Sequence, residues 1–267
     1  MPQGTAKPVI FIQSLWLHAS SWEPWVHMFK EAGSSPLAPG WPGSAENADA
    51  NYACRESIAD KGIDDAVQYY AGIAAACSQR PILIGHSFGG LIAETLLQQR
   101  LCAAAVSIAA VRSAREVPFS ALRSPWSRLA SLSSRLPTVT LSARQFRYAF
   151  GNAVSLEESE RLYERCTVPA PSRPLYEVAA ANSSPLPPVK SETANNGRGP
   201  LLLISGGEDN TVPASVVKHA FEEYYRSSAV TDYLELPGRG HSLTIDSGWR
   251  DVAAACLEWL AKQDCSS

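Results

Sequence analysis

Three observations predict an α/β fold: a mostly parallel sheet with helices on both faces and a helical lid inserted between strands. Strand-length apolar runs alternate with segments of helical period from residue 9 to residue 111. The alternation stops between residues 112 and 198 and resumes at 199. The strand-length runs are also apolar throughout, as parallel strands covered on both faces must be. The core is therefore assigned to residues 1–111 and 199–267, and residues 112–198 to the lid. Neither flank alone carries enough strands for a stable sheet, so the two are read as one layered unit with right-handed crossovers.

The elements follow in order. Val9 to Ile12 is a short β-rich run. Ser20 or Ser21 is placed to cap the next helix, with Pro24 tolerated in its first turn and Gly33 stopping it. Pro36 to Gly43 reads as a strand end breaking into turns. Ile63, Ala66, Val67, Tyr70, Ile73, Ala74 and Cys77 mark one face of a helix. Ile82 to Ile84 is a buried strand, Leu91 to Leu101 a helix, and Ala103 to Val111 another buried strand. No clean strand is expected from Arg112 to Gly199. Helices are expected there at Ser142 to Phe150 and, opened by the capping box Ser155-Leu156-Glu157-Glu158, through Cys166. Pro169, Pro171, Pro174, Pro185, Pro187 and Pro188 punctuate the rest. Leu201 to Ile204 restarts the strands, followed by a helix at Ser215 to Arg226, a strand at Thr231 to Leu236 and a final helix at about Asp246 to Leu260. There is no internal repeat.

Composition narrows the function. Of 267 residues, 45% are apolar and 18% charged, which suits a large buried core and not a disordered chain. A net charge of −3 with no run of five like charges argues against nucleic acid and anionic membrane as partners. No apolar stretch is long enough to span a bilayer, and Met1 to Lys7 does not read as a secretory leader. Cys54, Cys77, Cys102, Cys166, Cys256 and Cys265 are scattered, with neither C-x-x-C nor zinc-ligand spacing, and read as reduced thiols. The expected location is the cytoplasm and the expected partner a small-molecule substrate. Oligomeric state is left open.

One motif carries chemistry. Gly85-His86-Ser87-Phe88-Gly89 matches G-x-S-x-G, with a buried strand before it and a helix after it. In that setting the serine sits on a tight strand-to-helix turn, lifted to the positive end of the helix. A serine hydroxyl needs a base to attack a carbonyl at neutral pH. Among His18, His27, His86, His219 and His241, the last stands just after a strand in the flexible loop Gly238-Arg239-Gly240-His241. His27 and His219 fall in helices, and the His86 side chain is expected to point into the packing of the sheet. The base needs an orienting acid. Asp209, in the Gly-rich loop after the strand at 201–204, is preferred to Glu208. The chain order is then Ser87, Asp209, His241.

That order and context resemble the α/β-hydrolase superfamily over essentially the whole chain. The phrases LWLHASSWEPW (Leu15 to Trp25), LAPGWPG (Leu37 to Gly43), ILIGHSFGGLIAE (Ile82 to Glu94), QFRYAFGNAVS (Gln145 to Ser155) and PGRGHSLTIDSGW (Pro237 to Trp249) resemble a group of uncharacterised bacterial serine hydrolases with a helical lid. The resemblance implies a catalytic triad of Ser87, Asp209 and His241, a lid between the sixth and seventh strands, and no metal or organic cofactor. It also implies an oxyanion hole from the backbone N–H groups of Leu15 and Phe88. One departure bears on that hole. Where such hydrolases carry His-Gly, this chain has Gln13-Ser14, which removes a glycine from the turn and brings side-chain donors to the rim. Trp16 and His18 on the same loop, and Phe146 and Phe150 on a lid helix, are the remaining candidates for lining the substrate site.

The reading is thus a serine hydrolase acting on a small-to-medium, apolar carboxylic ester, lactone or thioester through an acyl-enzyme. Lyase-type or C–C bond-cleaving chemistry with the same triad stays open, as does a non-catalytic binder of small ligands on the same scaffold.

Overall fold

The computed structural model describes residues 6–53, 55–111, 137–180 and 193–263. Parts of the expected lid, residues 112–136 and 181–192, lie outside the described residues, as do Cys54 and Cys265.

Strands β1 (Pro8–Ile12), β2 (Ser35–Leu37), β3 (Ile82–His86), β4 (Ala104–Ile108), β7 (Leu201–Gly206) and β8 (Thr231–Leu236) form a six-stranded sheet in the order β2-β1-β3-β4-β7-β8. Every pairing is parallel. The insertion leaves this sheet after its fourth strand in chain order, β4, and not after a sixth. The chain steps from β1 out to β2 and then back past β1 to β3. The carboxyl ends of β1 and β3, where Ile12 pairs with Gly85, therefore flank a topological switch point, where open parallel sheets place their crevice.

Continuous burial explains the apolar strand runs. β1, β3, β4 and β7 are buried along their whole length. Alternate residues serve two cores. Ile10, Ile12, Leu83, Ala105, Leu201 and Leu203 face helices α3 (Ile63–Ala75), which follows the short α2 (Ala48–Ala53), and α4 (Phe88–Gln98), while Val9, Phe11, Ile84, Val106, Leu202 and Ile204 face the opposite side. There Phe11, Trp22, Trp25 and Phe29 stack with centroids 5.0–6.2 Å apart around helix α1 (Glu23–Glu31). Each such ring contributes about 1.5–3 kcal/mol through burial alone. Strand β8 lies at the edge and is only half-buried. Among the described residues no helix is long and apolar enough to cross a membrane.

Some boundaries differ from the sequence expectation for local reasons. Ser20 and Ser21 do not cap α1. They lie in a short 3-10 turn, Ala19–Trp22, capped by His18, whose Nδ1 accepts from the Ser20 N–H at 3.2 Å. Gly33 takes the left-handed φ of +87° that ends α1. Helices α5 (Ala143–Ala149), α6 (Leu156–Cys166) and α7 (Arg173–Ala180) occupy the described part of the insertion. Ser155 caps α6, but Glu158 does not close the box. Its carboxylate instead accepts from the Ser247 N–H at 2.6 Å. A two-stranded ribbon, β5 (Thr138–Val139) with β6 (Ala170–Pro171), appears where no strand was expected. Helix α8 (Ala214–Glu223) follows β7, and the last helix, α9 (Trp249–Ala261), starts a little later than expected because Asp246 is engaged in the loop before it.

Candidate active site

Ser87 stands between β3 and α4 with φ 58° and ψ −116°, a conformation rare for a residue with a side chain. Such strain costs of order 1–3 kcal/mol and persists only where the surroundings impose it. Here the Ser87 N–H donates to Ile108 O at 2.8 Å, and its carbonyl accepts from the N–H groups of Gly90 and Leu91. The glycines of the motif are required by close approach. A Cβ on Gly85 would lie 2.0 Å from Gly89 O, and one on Gly89 would lie 2.1 Å from Ile12 O and 2.8 Å from Gln13 O. The first turn of α4 is thereby pressed against the end of β1.

Asp209 and His241 meet on the loops after β7 and β8. Asp209 Oδ2 lies 2.7 Å from His241 Nδ1, and neither side chain has any exposure. Asp209 Oδ1 accepts from the N–H groups of Thr211 (2.7 Å) and Val212 (2.8 Å), which fixes the carboxylate. An ionised carboxylate only accepts, so Nδ1 carries the proton and Nε2 of the neutral ring presents a lone pair. Nε2 is buried and has no hydrogen-bond partner among the described residues, so no hydrogen bond joins it to Ser87 in this structure. Catalytic contacts of this kind often tighten only when substrate is bound.

The sequence places the His86 side chain in the packing of the sheet but does not reveal its contact with His241. Its ring lies 4.7 Å from that of His241 and 6.3 Å from Phe150, with both nitrogens buried and unpartnered among the described residues. Burial first, and then the charge of His241, hold its pKa well below the ordinary histidine value. The only available signal was its place directly before Ser87.

The expected rim and lining residues are taken up by the fold to different degrees. Gln13 is buried and turned to the next loop, with Nε2 donating to Pro39 O (3.1 Å) and Oε1 accepting from the Trp41 N–H (3.0 Å). Ser14 is buried and needs no positive φ; the left-handed residue of this loop is Trp16, at φ 65°. The absent glycine therefore imposes no strain at Ser14. Among the described residues the N–H groups of Leu15 and Phe88 have no main-chain acceptor. Trp16 is buried and its Nε1 donates to Val139 O at 3.0 Å, tying the loop to the ribbon. The His18 ring is spent on Ser20 and on Ala45 O. Phe150 meets His241 edge-on at 4.9 Å, and Phe146 stacks on Phe150 at 5.0 Å. Both phenyl rings are fully buried.

The helices of the insertion are stitched to both loops. Thr211 Oγ1 donates to Ala149 O (2.6 Å), Asn210 Nδ2 to Tyr148 O (3.2 Å), the Ser242 N–H to Phe150 O (3.1 Å) and Arg165 Nη2 to Ile245 O (3.3 Å). Among the described residues no three His, Cys, Asp or Glu side chains are grouped to hold a metal ion.

Residues 9–255 match the sequence family described as "Alpha/beta hydrolase family". No curated protein sequence matches the chain. Solved structures do. Rv0554 from Mycobacterium tuberculosis superposes with a TM-score of 0.72 at 19% identity, covering 98% of this chain and 92% of that one. An extracellular alpha/beta-hydrolase from a Paenibacillus species gives 0.70 at 19%, covering 94% and 98%. A monoacylglycerol lipase from Paleococcus ferrophilus gives 0.67 at 19%, covering 96% and 95%. At these identities the likeness is one of fold.

Proposed function

The chain belongs to the alpha/beta hydrolase family, and from that premise we propose that it is a serine hydrolase with Ser87 as nucleophile, His241 as base and Asp209 as orienting acid. The observation that carries the reading is the buried 2.7 Å contact of Asp209 with His241 Nδ1. It leaves the lone pair of Nε2 free for a proton. The strained turn at Ser87 supplies the partner hydroxyl.

In this mechanism Nε2 takes the Ser87 proton as Oγ attacks the substrate carbonyl carbon. Asp209 holds the tautomer and stabilises the imidazolium. The oxyanion is received by the N–H groups of Leu15 and Phe88, each such donor contributing about 2.7–4 kcal/mol in the transition state. His241 then returns the proton to the leaving alkoxide or thiolate. Water, deprotonated in turn by His241, attacks the acyl-enzyme, releases the acid and restores Ser87.

The substrate class proposed is a small-to-medium, apolar carboxylic ester, lactone or thioester. Leu15, Trp16, Leu17 and Phe88 share one buried apolar cluster with Phe146 and Phe150 of the insertion, which favours an uncharged ligand. Structural neighbours of this fold include a lipase and an esterase, which agrees with that choice. The buried free thiols Cys102, Cys166 and Cys256 support a reducing, cytoplasmic setting.

A fluorophosphonate probe and a panel of p-nitrophenyl and aryl esters test the reading. Labelling lost in Ser87→Ala, with a burst of alcohol release in the parent protein, is the expected result. Unchanged ester turnover in Ser87→Ala would overturn it.

A further inference from the structure

We propose that Arg239 and Asp246 are positioning residues for the base, their ion pair closing residues 239–248 into a ring that presents His241. The inference rests on the reading of His241 given above.

His241 sits on a loop that its own sequence does not stiffen, since glycines stand at 238 and 240. Its neighbours carry the anchors. The main chain of Arg239 is pinned to the acid loop, its carbonyl accepting from the Glu208 N–H at 2.9 Å, directly before Asp209. The side chain of Arg239 reaches the far end of the His241 loop. Nη2 pairs with Asp246 Oδ1 at 2.5 Å, and Nη1 donates to Gly248 O at 3.1 Å. A Cβ on Gly248 would come within 2.7 Å of Nη1, so glycine there makes room for the guanidinium. One residue thus links the acid loop to both ends of the base loop.

Asp246 completes the ring from inside. Its Oδ2 accepts from Ser242 Oγ at 2.9 Å and its Oδ1 from the Gly248 N–H at 3.0 Å. Its side chain is 2% exposed, against 20% for Arg239. Removing one partner of a pair this buried leaves the other's charge uncompensated. The residue next to the base, Ser242, is held on one side by Asp246 and on the other by Phe150 O. Slack in the ring is slack at the imidazole, and a small misplacement of a catalytic group is expensive.

The test compares Arg239→Ala, Arg239→Lys and Asp246→Asn with the parent protein, using a p-nitrophenyl ester and a fluorophosphonate. Arg239→Ala and Asp246→Asn are expected to lower kcat at least tenfold with KM within about twofold, and to slow labelling of Ser87 in proportion. Arg239→Lys is expected to recover part of the loss. Unchanged kcat beside a lowered melting temperature would overturn the proposal, since the pair would then serve stability alone. If Arg239→Ala fails to fold, Asp246→Asn, which keeps the side-chain shape, decides by the same readouts. His241→Ala and Ser87→Ala are measured alongside. Full activity in those two overturns the serine-hydrolase reading itself, whereas loss in those two with none in the Arg239 and Asp246 variants overturns only the positioning role.

Discussion

The imidazole of His86 lies against that of His241, ring centroids 4.7 Å apart and planes tilted by 42°, with neither nitrogen of His86 hydrogen-bonded among the described residues. A charged ring here would lie unsolvated beside a second ring that the proposed mechanism also makes positive. His86 is therefore kept neutral, and its folded pKa lies well below the ordinary 6.5. The unfolded chain then binds the extra proton first as pH falls. Stability from this residue is complete above the unfolded value and is lost on acidification, by up to about 1.4 kcal/mol per pH unit. His86→Phe should remove that acid-sensitive component. Urea unfolding between pH 7 and pH 5 checks it: the parent should lose stability more steeply than the variant.

Asp209→Asn should leave the fold intact and nearly abolish turnover. Oδ1 accepts two backbone N–H groups, so the amide oxygen of asparagine is held at that end. The NH₂ group is then forced toward Nδ1, which must accept, and the proton moves to Nε2. In the proposed mechanism the lone pair is then on the wrong nitrogen to take the Ser87 proton. By analogy with the same change in serine proteases, kcat should fall by about 10⁴. Steady-state kinetics beside a melting curve checks this; a kcat within tenfold of the parent would remove Asp209 from the mechanism.

Gly89→Ala and Gly72→Ala should differ in sign. At Gly89 the new methyl would meet main-chain oxygens of Ile12 and Gln13, which cannot swing away. The cost should be several kcal/mol, in line with other severe core changes, and the variant should be poorly folded or inactive. Gly72 lies within α3 and an added Cβ has nothing within 4 Å. Alanine there should stabilise by about 0.5–1 kcal/mol. Denaturation midpoints of the pair read both effects in one experiment.

The sheet was readable because its strands are buried on both faces, so Val9–Ile12, Ile82–Ile84 and Leu201–Ile204 stand out as apolar runs in a text otherwise of helical period. The pairing of Asp209 with His241 was readable because each follows a strand in a glycine-containing loop and parallel strands end on one side. The ribbon was not: Thr138–Val139 and Ala170–Pro171 are too short to show any period. Nor was the contact of His86 with His241, or of Glu158 with Ser247, since each joins residues far apart in the chain through a docking that no local pattern encodes. The capping contact of His18 was not readable either, since only the path of the chain brings its ring to the Ser20 N–H.

Phe150→Ala should slow turnover. The ring is fully buried, stacked on Phe146 and set edge-on against His241. Its removal opens a cavity beside the base, at a cost of about 3–5 kcal/mol in stability. The carbonyl of residue 150 still accepts from the Ser242 N–H, so the loop keeps its path while the imidazole loses its wall. The expected signature is a fall in kcat with a smaller change in KM. Tyr148, in the last turn of α5 just before Phe150 but 46% exposed, is the control. Tyr148→Ala should leave both constants within about twofold and stability within about 0.5 kcal/mol, as for other surface changes. Equal losses in the two variants would mean that the helix as a whole, and not the ring against His241, supports the base.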